Sequence, residues 1–171
     1  ILPFWLSVLT PTEYGLVELL TSIQMILASI ITLNFHEIFN LDYFHHDKAG
    51  QKKLITDLLS IYLLFSLPIT LLLITISPLL NKYLLLKSGS NLALLFTFLT
   101  AFLSLPNSLF SQVLRFQQKS TQITLIQVVS GLIFLGFNIL FVAYYRYSAT
   151  GVLFARLLSV LFLFISTTYL T

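Results

Sequence analysis

The chain has 171 residues, of which 57% are hydrophobic and only 9% charged, with a formal net charge of +3 and no cysteine. A soluble domain carries about 25% charged residues, and the mean hydropathy of +0.95 leaves too much apolar surface for a soluble core to hide. Scattered positive charge of this size does not build a nucleic-acid surface, and without cysteine there is neither a disulfide framework nor a thiolate metal site.

In chain order, Ile1 to Leu9 is apolar but too short to span a membrane. It reads as the remnant of a spanning helix rather than a signal peptide, because no basic region precedes it and no small-residue cleavage site follows. Since the sequence opens without methionine and stops at Thr171 in another apolar run, it reads as a fragment of a longer protein. Thr10, Pro11, Thr12 and Glu13 then form a capping box, with proline at the first helical position. A helix is expected over about 11–39, followed by a polar loop from His45 to Lys53. Further helices are expected over about 54–80, 91–114 and 121–144, with a last, partial one over 151–171. The stretches Leu58 to Ile76, Leu92 to Leu114 and Ser120 to Tyr145 contain no charged residue, and about 20 apolar residues suffice to cross a hydrocarbon core of roughly 30 Å. The expected fold class is therefore all-α, a polytopic transmembrane helix bundle whose short connections make consecutive helices antiparallel neighbours.

Loop charge orients it. Lys48, Lys52, Lys53, Arg115 and Lys119 fall on one side, and Lys82, Lys87 and Arg146 on the other. The richer side is expected in the cytoplasm, which makes Thr10 to Gly15 an outer-face turn. Pro68, Pro78 and Pro106 interrupt predicted helices, and each frees a carbonyl one turn earlier that another group must satisfy in lipid.

At about 100° per residue the polar residues gather into rows. Glu18, Ser22, Ser29, His36 and Asn40 share one face; so do Thr97, Ser104, Ser108, Ser111, Gln112 and Arg115, and then Ser120, Thr124, Gln127, Gly131 and Asn138. Such rows are either packing seams, where small and hydroxyl residues let helices approach, or walls of a water-filled cavity for a polar substrate. Ionisable residues in or near the rows favour the cavity, because a charge in hydrocarbon costs on the order of 3 kcal/mol or more. Substrate-pathway candidates are accordingly Glu18, Ser29, His36, Ser108, Gln112, Arg115, Gln127, Asn138 and Arg156. On the cavity reading Ser29, Ser108 and Gln127 face one interior, while Leu95 and Phe134 face lipid. Arg115 and Arg156 also lie near helix ends, where they can instead snorkel to the headgroups. Glu37, Asp42 and Asp57 are expected to pair with the loop lysines. His36, His45, His46, Asp42 and Asp47 match no helical metal motif and read as a solvated loop. No phosphate-binding glycine loop, nucleophile elbow or paired acid and base is present in the sequence, so neither an enzyme nor a cofactor or metal is expected.

Leu9, Thr10, Pro11, Thr12, Glu13, Tyr14 and Gly15 resemble the turn after the first helix of polysaccharide flippases, the O-antigen and capsule exporters of the multidrug/oligosaccharidyl-lipid/polysaccharide superfamily. Arg115, Phe116, Gln117, Gln118 and Lys119 resemble the family's basic junction between its fourth and fifth helices, and Ser148, Ala149, Thr150 and Gly151 its entry to the sixth. The resemblance implies most of the first six-helix lobe of a two-lobe exporter, with the second lobe missing. It also implies a function, flipping an undecaprenyl-diphosphate-linked oligosaccharide across the bacterial inner membrane during O-antigen, lipopolysaccharide or other polysaccharide biosynthesis. Implied partners are that lipid-linked oligosaccharide, membrane lipids, and the polymerase and glycosyltransferases of the same process. The sequence departs from the family at Asn34, Phe35, His36 and Glu37, then Leu41 and Asp42, where members often carry a glycine and a basic residue; that leaves Arg115 and Arg156 as basic candidates. The alternatives are a drug/cation antiporter of the same superfamily, which needs a deep carboxylate, and a polysaccharide polymerase-type membrane enzyme, which needs a sizeable catalytic loop.

Overall fold

The computed structural model describes Trp5 and residues 8–32, 35–84 and 91–170. Nearly all of them are helical: α1 (Pro11–Thr32), α2 (Phe35–Asp42), α3 (Lys48–Leu84), α4 (Asn91–Phe102), α5 (Ser104–Phe116), α6 (Ser120–Asn138) and α7 (Ser148–Leu170). A 3-10 turn, Tyr43–His45, follows α2, and α6 continues as a π-helix over Ile139–Tyr144. Among the described residues five helices are long and apolar enough to cross a membrane. The chain is an all-α, multi-pass transmembrane bundle. Most of the predicted helix 1–9, and the loop carrying Lys87, lie outside the described residues.

Local chemistry sets the helix starts. The Thr10 amide and hydroxyl each donate to Glu13 Oε2 at 2.8 Å, and the Glu13 amide reaches Thr10 Oγ1 at 3.4 Å, which is the expected capping box. α3 begins at Lys48, six residues before the predicted start at Leu54. The reason is Asp47, whose Oδ1 accepts the Gly50 amide at 2.9 Å as an N-cap does. Lys48, Lys52 and Lys53 therefore ride on the first turns of a helix rather than on a loop. At 37 residues α3 is about 55 Å long, well beyond the roughly 30 Å hydrocarbon core.

The span expected at 91–114 is divided at Leu103 into α4 and α5. Pro106 has no amide to offer the Phe102 carbonyl, and the Tyr62 hydroxyl of α3 donates to that carbonyl instead. The orphan acceptor left by the proline is thus satisfied from a neighbouring helix, as an apolar surrounding requires. Tyr62 is fully buried and its ring packs on Phe102, with centroids 5.8 Å apart.

The divided span α4–α5 is central: 56% of its most apolar window is buried, against 17% for α1 and α3 and 22% for α6. α4 packs on α1, α3 and α7, α5 packs on α7, α1 and α6, and α6 lies outermost against α7. One apolar cluster joins α1, α2, α3 and α5 through Ile31, Phe39, Tyr43, Leu58, Tyr62, Leu105, Leu109 and Val113. A second joins α1, α4 and α7 through Leu20, Ala93, Leu94, Phe98 and Leu153, and a third gathers Trp5, Leu9, Val17, Val142, Ala149 and Val152. Gly151 lets α7 close on the π-helix, since a Cβ there would lie 3.1 Å from Tyr147 Cβ and 3.2 Å from Phe141 Cβ.

Candidate functional site

α5 has two unlike faces. Leu105, Leu109 and Val113 are buried in the core, while Ser104, Asn107, Ser108, Ser111, Gln112 and Arg115 line a cleft of about 290 Å³ closed by Gln127 of α6 and Leu163 of α7. A second cleft, of about 310 Å³, is lined by Gln127, Ser130, Gly131 and Phe134 of α6 and by Arg156, Ser159 and Leu163 of α7. Gln127 and Leu163 belong to both, so the two clefts adjoin and together form a trough between α5, α6 and α7. Arg115, in the last turn of α5, stands at one end, and Arg156 at the other.

The floor of the trough is a hydroxyl seam. Ser130 Oγ and Ser159 Oγ lie 2.8 Å apart, each hydroxyl within 3.0 Å of the other residue's carbonyl, and both residues are buried. Mutual pairing of this kind holds helices together without exposing an unpaired group to lipid. Arg156 reaches out of the trough to α1, donating to Thr21 Oγ1 at 2.8 Å and Gln24 Oε1 at 3.3 Å. Glu18, one turn before Thr21, adds a favourable charge from the same helix. α1 is thereby fastened to α7 across the trough end. Asn107, buried beside the trough, donates to the Val160 carbonyl at 3.3 Å, while its Oδ1 has no hydrogen-bond partner among the described residues.

Of the residues singled out in the sequence, Ser108, Gln112, Arg115, Gln127 and Arg156 line the trough. Glu18 is exposed on α1 near Arg156. Ser29 is not brought to the shared interior expected for it: it is exposed, and its hydroxyl donates to the Met25 carbonyl of its own helix at 2.9 Å. Asn138 is fully buried, giving an amide hydrogen to the Phe134 carbonyl at 2.8 Å and accepting from Trp5 Nε1 at 3.2 Å. His36 lies on α2, and its side chain is outside the described residues. Phe134, expected to face lipid, lines the trough and meets Trp5 edge-on at 6.3 Å. Leu95 is half-buried. The lipid-facing side of α6 carries instead Leu125, Val128 and Leu132, the last 61% exposed.

Thr21, Gln24, Asn107, Ser130 and Ser159 are the trough or clamp residues that the rows of polar residues did not select. A usable signal exists for four of them, because Thr21, Asn107, Ser130 and Ser159 follow Glu18, Ser104, Gln127 and Arg156 by three residues and so share their faces.

The bundle is that of a multi-pass membrane protein, with polar side chains in the clefts between α5, α6 and α7. No family model matches the chain, nor does any curated protein or solved structure.

Proposed function

We propose that the protein is a transporter of the bacterial inner membrane that flips an undecaprenyl-diphosphate-linked oligosaccharide to the outer leaflet, with the glycan passing along the trough and the lipid remaining outside. The observation that carries this reading is the trough itself, a membrane-embedded cleft lined by hydroxyl and amide groups. Such groups hydrogen-bond sugar hydroxyls without fixing a charge. The sequence resemblance to polysaccharide flippases points the same way. The two ionisable residues lining the trough are both arginines, which repel a cationic drug and supply no carboxylate for proton or sodium coupling. They also supply no acid and base pair for a polymerase.

The decisive experiment is genetic. Deleting the gene should trap lipid-linked repeat units in the inner leaflet and abolish surface polysaccharide; unchanged surface polysaccharide, in a strain without a second exporter, sinks the proposal. At residue level, Ser108→Cys and Gln127→Cys should react with a water-soluble maleimide, while Val128→Cys and Leu132→Cys should not. Protection at all four positions would make the trough a dry packing seam.

A further inference from the structure

A separate pocket lies where α1 and α7 begin and the π-helix ends. Its volume is about 450 Å³, the largest of the clefts described. Val8, Leu9, Val142 and Ala143 give it an apolar wall, and Glu13, Arg146 and Ser148 a polar one. Helix ends set its depth: three spans terminate there, so it sits where hydrocarbon meets headgroups. Exposed Tyr144, Tyr145 and Tyr147 beside it are the residue type that settles at this boundary.

The Glu13 carboxylate is held by hydrogen bonds, and Arg146 sits on an unusual backbone turn. Arg146 and Ser148 both adopt left-handed φ values, 53° and 55°, a conformation unfavourable for residues with a Cβ. The π-helix imposes this turn, closing with Tyr145 amide to Leu140 carbonyl at 3.0 Å and Tyr147 amide to Phe141 carbonyl at 2.9 Å. Ser148 donates to Glu13 Oε1, and Thr10 engages Oε2, so the carboxylate is fixed on the pocket wall. Arg146 is exposed at the same pocket.

We propose that this pocket binds a phosphatidylethanolamine headgroup. Arg146 takes the phosphodiester, since a guanidinium matches paired phosphate oxygens. Glu13 takes the primary ammonium, whose N–H donors a carboxylate accepts. The opposite charges cancel, so the site complements a zwitterion rather than a net anion. Val8, Leu9, Val142 and Ala143 cover the glycerol and the first carbons of an acyl chain. The proposal does not rest on the transport reading, and either can fail alone.

The test uses Trp5, the sole tryptophan of the sequence, which packs with Leu9 and Val142 of the pocket wall. Delipidated protein in detergent is titrated with short-chain phosphatidylethanolamine, phosphatidylcholine and phosphatidylglycerol, following Trp5 fluorescence. Phosphatidylethanolamine should saturate at about tenfold lower concentration than either of the others, a difference of about 1.4 kcal/mol. Arg146→Ala should weaken all three lipids, and Glu13→Gln should erase the preference for ethanolamine over choline. Because Glu13→Gln also alters the bonds to Thr10 and Ser148 at the start of α1, successive N-methylation of the ethanolamine tests the same contact on the unaltered protein, with affinity falling at each step. Glycerophosphoethanolamine, the headgroup without acyl chains, should bind at least tenfold more weakly. Equal affinity for the three lipids, indifference to Arg146→Ala, or equal binding of the soluble headgroup overturns the proposal.

Discussion

α1 and α5 both carry a row of hydroxyl residues, and the rows have opposite surroundings. Ser22 and Ser29 of α1 are exposed on the outside of the bundle, and each donates to the carbonyl four residues earlier, Glu18 and Met25, at 2.9 Å. Ser108 and Ser111 of α5 line the trough. The difference teaches what a polar residue needs in lipid. A serine or threonine donor always has a carbonyl of its own helix within reach, so hydroxyls alone do not require an interior. An amide oxygen has no such resource, because the amide hydrogens of the preceding turn are already used by the helix. Asn138 illustrates this: its NH₂ group is served by its own helix, but its oxygen depends on Trp5.

Removing hydrogen bonds that cross between helices should therefore hurt far more than removing those within one. The largest effect is expected for Tyr62→Phe, which strands the Phe102 carbonyl that Pro106 released; a buried unsatisfied group costs about 1–3 kcal/mol, read as loss of helical circular dichroism in an SDS titration of micellar protein. Ser130→Ala or Ser159→Ala should cost about 0.6–1.7 kcal/mol in the same titration, the range for hydrogen bonds between membrane helices. The double variant should cost hardly more than either single one, because neither side then leaves a partner stranded. Ser22→Ala and Ser29→Ala should stay within about 0.5 kcal/mol. If Ser29→Ala matched Tyr62→Phe, the contrast between the two rows would be void.

The helices were legible because apolar length and capping chemistry are local. Thr10 with Glu13 marks the start of α1, and the charge-free runs mark the spans. The start of α3 differs from the predicted Leu54 because a lysine-rich stretch has the composition of a loop, whereas Asp47, three residues before Gly50, is a cap that the sequence displays. The trough was legible in part, through Ser108, Gln112, Arg115, Gln127 and Arg156. What periodicity could not supply is which face of a helix meets which neighbour. Ser29 and Ser108 have the same local pattern, but only α5 is packed at the centre of the bundle, beside α6 and α7. The clamp from Arg156 to Thr21 and Gln24 joins residues more than a hundred positions apart, and no local pattern encodes it.

The Tyr62 hydroxyl is one of the polar ties along α3. It pins the helix to the bend in the central span at a point about 21 Å from Lys48 and about 33 Å from Leu84, at 1.5 Å per residue. A second tie is Asn81, near the far end of α3, which donates to Asn91 Oδ1 of α4 at 2.8 Å. Two ties about 29 Å apart, at 1.5 Å per residue, hold α3 along α4 as one unit, and the lysine end projects well beyond them.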